Sequence, residues 1–202
     1  MKNLPKKADS EKISGEKFWE KEFITEDEEV AFFRSRELYK TAPLTSPFWD
    51  AAKEAAVKHS LTPDFPIGII AVKNNEVVAE AGNGNGYHQK NENTEGHKDG
   101  CVRKYLRQEA KNAGYAIPKG LSHDMCPGCH TDSHAEANLI KTRANLEGAD
   151  IYMYGHFWCC KSCWQKMKAA GVNDVYLPED NMKFDTKEGT RAWREEYENL
   201  KK

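Results

Sequence analysis

The residues best placed to do chemistry are His134 and Glu136 in "HAEANLI" (134–140), followed by Cys160 and Cys163 in "CCKSC" (159–163). One histidine and two cysteines are a ligand set that a catalytic zinc ion accepts, with the fourth position left for water. Cys160 and Cys163 stand at i and i+3, so on the first turn of a helix they face the same way. A helix N-terminus also favours thiolate over thiol. Glu136 need not bind the same ion. A carboxylate there can take a proton from water activated by the cation and hand it to a leaving group. Each piece has a plainer reading: the Cys-x-x-Cys as a thioredoxin-like redox pair, His134 as a core histidine, Glu136 as a surface carboxylate. Their order, with each motif at an expected helix start, makes a metal site the expectation.

A second concentration of ligands lies just upstream. "CPGCH" (126–130) is another Cys-x-x-Cys, Cys101 precedes it, and His88, His97, His123 and His130 surround it. Three cysteines and one histidine would close a tetrahedral structural zinc site. Such a site would staple a long loop that has few apolar residues of its own. Cys101, Cys126 and Cys129 are the expected thiolates, and the fourth ligand is open between His97, His130 and His88. Free thiols and surface histidines are the alternative.

The elements that must position these groups can be read from periodicity and turn chemistry. In "TEDEEVAFFRSRELYK", Thr25 and Glu28 have capping-box spacing, and Val30, Phe33 and Leu38 roughly hold one helical face. The prolines of "TAPLTSP" (41–47) then mark a boundary between a helical extension, residues 1–43, and a main domain, residues 44–202. A helix is expected from Ser46 and Pro47, a cap and a first-turn proline. Runs 67–72 and 76–81 flank an Asn-Asn turn and read as a hairpin. Residues 82–100 read as a long polar loop, and a short helix ends near Gly114. Helix is expected from Ser133 to about Leu146, strand at 150–155, helix from Cys160 to Ala170 with Gly171 as its stop, and strand at "NDVYLPE". A last helix carries Trp193, Tyr197 and Leu200 at i, i+4 and i+7. This order implies an α/β fold, a three-layer α/β/α sandwich with a mixed sheet of about five strands.

With 202 residues, the chain is long enough for one sizeable core and a terminal extension. Charged residues make up 31% and the net charge is −2, so the basic stripe of a nucleic-acid binder is missing. No apolar run nears the roughly 20 residues of a membrane span, and the N-terminus lacks the apolar stretch of a signal peptide. A cytoplasmic location is expected, where thiols stay reduced and clustered cysteines bind metal or do chemistry.

His-x-Glu followed by Cys-x-x-Cys is the signature of zinc-dependent base deaminases. Together with the preceding hairpin it resembles the cytidine/deoxycytidylate deaminase superfamily, nearest the dCMP deaminase branch. "FWDAAKEAAVKHS" is similar to that branch's opening helix, "VVAEAGNG" to its strand ending in an Asn-Gly turn, and "CVRKYL…IPKG…C…HAE" to its insert before the His-x-Glu helix. The likeness spans roughly residues 46–178. It implies that His134, Cys160 and Cys163 bind zinc and that Glu136 shuttles protons. It also implies that Asn83, or Asn85 if the turn is shifted, contacts the substrate. Some relatives carry an extra zinc in the insert, and oligomers are common.

The chain departs from the family where Cys159 replaces the usual proline before the first cysteine and where "YGHFWCC" is longer than the common form. His156, Phe157 and Trp158 therefore fall where residues normally flank the base, and Cys159 reads as a buried thiol beside the ligands. The function implied is hydrolytic deamination of a cytosine nucleotide, dCMP first, with release of ammonia. Arg103, Lys104 and Arg107 could grip the phosphate. Deamination of another amino-substituted base or nucleoside, a zinc-stapled interaction module without turnover, and a redox protein remain as alternatives.

Overall fold

Short apolar runs, the central one buried on both faces, build the sheet of the computed structural model. It describes Glu28, Ala31, Phe32 and residues 39–62, 64–91, 101–115 and 125–202. Strand β1 is Lys40–Ala42, β2 is Gly68–Lys73, β3 is Glu76–Gly82, β4 is Asp150–Tyr154 and β5 is Val175–Pro178. They lie in the order β1-β5-β4-β2-β3. β2 pairs antiparallel with both β3 and β4, while β5 runs parallel to β4 and to β1. The mixed five-strand sheet is the one expected. The β2–β3 hairpin turns on Asn74 and Asn75, both in the left-handed region at φ 53° and 65°, which Asn tolerates better than most residues.

Side chains alternate across the sheet and feed two cores. Ile69, Ala71, Ile151, Met153, Val175 and Leu177 face one side. Ile70, Val72, Tyr152, Tyr154 and Tyr176 face the other. On the second side lie α1 (Phe48–His59) and the C-terminal helix α6 (Lys187–Leu200). α1 comes so close to β2 that a Cβ on Gly68 would collide with the Ala52 carbonyl. Its N-cap position is Pro47, and no side chain caps it. In α6, Trp193 and Tyr197 are buried while Leu200 is exposed.

On the first side lie α4 (Ala135–Lys141) and α5 (Lys161–Ala169). Two further helices, α2 (Tyr87–Lys90) and α3 (Val102–Asn112), sit between β3 and α4 in sequence. α4 is shorter than the expected run to Leu146. The Thr142 hydroxyl donates to the Leu139 carbonyl, and Arg143 turns to φ 60°. Thr142 thus draws the last turn onto its own side chain, and Arg143 leaves the helical region.

β1 was not expected from the sequence: the sheet begins at Lys40, upstream of the prolines. Glu28, Ala31 and Phe32 are helical, and Phe32 packs on the first core. Thr25, Val30, Phe33 and Leu38 lie outside the described residues. Among the described residues no helix is long and apolar enough to cross a membrane.

Candidate active site

His134 is the N-cap residue of α4 and Cys160 the N-cap residue of α5. These helices enter the same end of the first core, so their N-termini converge. His134 Nδ1 lies 3.7 Å from Cys160 Sγ and 3.5 Å from Cys163 Sγ. Tetrahedral zinc with ordinary bond lengths holds neighbouring N and S ligand atoms about 3.6 Å apart. Both nitrogen–sulfur distances therefore suit a single ion, the three donor atoms lie within 4.8 Å of one another, and three protein donors leave one coordination position open.

The electrostatics fit a thiolate site. A hydrogen bond from the Cys163 thiol, opposed by burial and helped by His134, holds Cys160 well below the usual thiol range. Cys163 is pushed up in exchange, by its bond to Cys160 and by burial. Burial alone would depress the His134 ring, but its bond to Cys160 and the nearby Glu136 charge raise it to about 9. The imidazole also donates to the backbone carbonyl of Cys129. With Nδ1 turned to the sulfurs, the N–H left for that carbonyl is Nε2–H.

Glu136, two residues into α4, is only 2% exposed. Burial pushes its carboxyl up, partly opposed by the charge of His134, and Cys159 adds a side-chain hydrogen bond. An acid raised in this way holds a proton more readily than an exposed carboxylate, as a group that must both accept and return one needs to. Cys159 is fully buried and its thiol also contacts the Cys160 carbonyl at 3.7 Å. That is the buried thiol expected beside the ligands.

Asn83 and Asn85 are engaged with the protein itself. Asn83 Oδ1 accepts from Ser60 Oγ (2.7 Å) and Ile67 N (2.9 Å), and its Nδ2 donates to the Phe65 carbonyl (2.8 Å). Asn85 Nδ2 donates to the Pro127 carbonyl at 2.8 Å, and its Oδ1 accepts from Tyr87 N. Asn138, which the sequence reading missed, donates to the carbonyls of Gly82 and Gly84 at 2.8 and 2.9 Å. It stands at i+4 from His134, the one signal that could have found it. His156 is half-buried, with its ring edge-on to Phe157 (5.2 Å) and Trp158 (6.2 Å), and Trp158 is buried. Both lie on the segment that leads from β4 to Cys160. A cavity of about 440 Å³ lies elsewhere, between Ile140, Ala144 and Ala169–Gly171 at the far ends of α4 and α5.

A second cluster stands beside the first. Cys101, the N-cap residue of α3, lies 4.0 Å from Cys126 and 3.6 Å from Cys129, sulfur to sulfur. His88 Nε2 is 3.3 Å from Cys126 Sγ and 3.7 Å from Cys129 Sγ. Sulfur ligands on tetrahedral zinc are about 3.8 Å apart, so these four donors also match one ion. The fourth donor is His88, on α2. His130 is instead turned to its own loop, where its Nδ1 accepts from Asp132 N at 3.3 Å. His97 and His123 lie outside the described residues. A hydrogen bond from Cys129 and the charge of His88 hold the Cys101 thiol down at about 5, against burial, while the same bond pushes Cys129 up. Arg103 is half-buried and its charge acts on Cys129, so it sits at this second cluster.

The family model of the cytidine and deoxycytidylate deaminase zinc-binding region matches residues 45–179. A search of curated proteins returned no significant match. Among solved structures, the dCMP deaminase of cyanophage S-TIM5 in apo form is 18% identical, with 69% of this chain and 90% of that one covered and a TM-score of 0.34. The same enzyme in complex with dCMP and dUMP is 17% identical, with 74% and 94% covered and a TM-score of 0.36. Values this low carry nothing about substrate.

Proposed function

The chain belongs to the cytidine and deoxycytidylate deaminase family, and on that premise we propose that it is a zinc-dependent hydrolytic deaminase of a cytosine nucleotide, dCMP first. The observation that carries this reading is the convergence of His134 Nδ1 with the Cys160 and Cys163 sulfurs at two helix N-termini, with Glu136 buried beside them. Zinc held by these three residues would supply a water acidified towards neutrality.

The protein's own groups do the rest. Glu136 takes one proton from the water and delivers it to ring N3, then takes the second from the hydroxyl added at C4 and delivers it to the departing 4-amino group. Oxygen from water becomes the C4 carbonyl, the C4–N4 bond breaks, and ammonia leaves with a uracil nucleotide as product. The Cys129 carbonyl fixes the His134 tautomer that leaves Nδ1 free for the ion. Cys159 orients Glu136 from behind. Asn83, Asn85 and Asn138 hold the end of β3 and the loop around Pro127 in place. Cys101, Cys126, Cys129 and His88 would hold a second, structural zinc. Arg103, Lys104 and Arg107, on α3, are the candidate phosphate contacts. The reading includes a homo-oligomer, and edge strand β3 leaves Val77 and Val78 exposed for such a contact.

A second reading rests on the segment His156–Phe157–Trp158. Its two bulky rings before Cys159 would reshape the pocket for another amino-substituted base. The test is conversion of dCMP to dUMP, with ammonia release, by zinc-loaded protein beside Glu136→Gln. The wild type turns over and the variant is slower by about 10²- to 10⁴-fold, with zinc content unchanged. Turnover only on other amino-substituted rings selects the second reading. No turnover on any of them with zinc in place leaves a non-catalytic zinc module.

A further inference from the structure

Cys129 takes part in both clusters. Its sulfur lies 3.6 Å from Cys101 Sγ and 3.7 Å from His88 Nε2, while its carbonyl accepts the ring N–H of His134. The loop that carries it has no regular structure between Met125 and His130. It is tied to the frame by Asn85 on the Pro127 carbonyl and by Ser133 Oγ on the Gly128 and His130 carbonyls. Cys129 itself is held within the loop, where its N–H donates to the Cys126 carbonyl at 2.9 Å. Outside the loop, the Cys129 side chain meets only Cys101 and His88 among the described residues, so a ligand shared by those three groups is what can tie Cys129 to the frame. A metal ion there fixes the Cys129 backbone against the His134 ring.

We propose that the His88/Cys101/Cys126/Cys129 cluster, when it holds a metal, is the positioning device for His134, so that filling the second cluster tightens metal binding in the first. The carbonyl acts as the partner of the ligand's other nitrogen, and loss of such partners typically weakens metal binding by about 10- to 100-fold. The proposal rests on the two-cluster metal reading above, but not on any substrate.

Gly128 offers a way to disturb one donor alone. A Cβ at that position would run into the His88 ring, the movable end of a side chain. Gly128→Ala therefore swings His88 out and leaves all three cysteines in place. The first variant to make is Cys101→Ser, the second Gly128→Ala. Full-length protein is loaded with ¹¹³Cd²⁺, whose NMR shift separates a three-thiolate site from a two-thiolate one. Metal release from each site is then followed with a chromophoric chelator.

Wild type gives two resonances and slow release from both sites. Both variants lose or shift the three-thiolate signal. If the proposal holds, the two-thiolate signal also moves, and release from that site speeds up about 10- to 100-fold. A two-thiolate site unchanged in shift and release rate while the other is emptied overturns the proposal. So does a wild-type protein that shows the two-thiolate resonance alone. Should Cys101→Ser not fold, by circular dichroism, Gly128→Ala decides. Neither readout involves turnover, so an incorrect substrate assignment leaves this test intact.

Discussion

The two clusters use nearly the same donors on opposite kinds of scaffold. His134, Cys160 and Cys163 stand at the starts of helices whose far sides are buried under the sheet, next to Leu139, Met153 and Met167. Packing fixes their backbone before any ion arrives, and three donors leave a position open. His88, Cys101, Cys126 and Cys129 come from a one-turn helix, the start of α3 and an irregular loop. α3 itself has no buried residue beyond its N-cap. There four donor side chains gather, and the metal proposed for them would supply what packing does not. An open site can be built where the core already pays for order, whereas a closed one is needed where it does not.

The largest effects should come from removing one thiolate on each side. Cys163→Ser is expected to abolish turnover and first-site metal while the unfolding midpoint of the metal-free protein changes little, because the buried faces of α4 and α5 remain. Cys126→Ser should cost more with metal present, because its loop and the start of α3 lose their order along with the ion. Metal at 100 times its dissociation constant stabilises by about 2.7 kcal/mol, and that metal-dependent gain should vanish. Thermal melts with and without chelator, read beside zinc content, check both. Equal loss of stability in the two variants would erase the contrast.

A pH titration of metal affinity sharpens the same comparison. Metal binding in the first cluster must displace the His134 proton, held up to about 9, and the Cys163 proton, held higher still. Cys160 is already a thiolate. Apparent affinity should therefore rise about tenfold per pH unit for each proton released. Two protons leave below pH 9 and one above it, so the slope halves near there. In the metal-free protein the sign is opposite: the charged His134 ring stabilises the fold fully below its ordinary value of 6.5, and this is lost as pH rises through about 9. Chelator competition from pH 6 to 10 measures the slope. A constant slope would remove His134 from the ligand set.

The smallest effect concerns the frame between the clusters. Asn83→Ala removes three hydrogen bonds and leaves Ile67 N–H without its acceptor. A loss of about 1–2 kcal/mol in urea unfolding is expected, at roughly 0.5 kcal/mol for each of these part-buried or exposed bonds. A variant of native stability but raised KM would instead make Asn83 a substrate contact.

The order His-x-Glu then Cys-x-x-Cys named its donors from sequence because helix geometry is local. An N-cap residue and its i+3 neighbour are set by the chain within one turn. The β2–β3 hairpin was legible for the same reason, through Asn74 and Asn75, and so was the alternation that places Ile69 and Ile70 on opposite faces. The short end of α4 at Lys141 was not, because Thr142 and Arg143 leave the helix through a side-chain bond and a backbone twist that periodicity does not register.

What only the tertiary structure decided lies between distant segments. β1 at Lys40–Ala42 has three residues and no pattern of its own, and it is a strand because β5 offers it an edge. Among three candidate histidines, spacing could not favour His88 over His130, although His130 is adjacent to Cys129 in the chain. The choice was made by α2 laying the His88 ring on Gly128, a contact across 40 residues of sequence. Short-range stereochemistry wrote the donor positions of the first cluster into the sequence, whereas its closure across 26 residues, like the whole of the second cluster, depends on which segments the fold brings face to face.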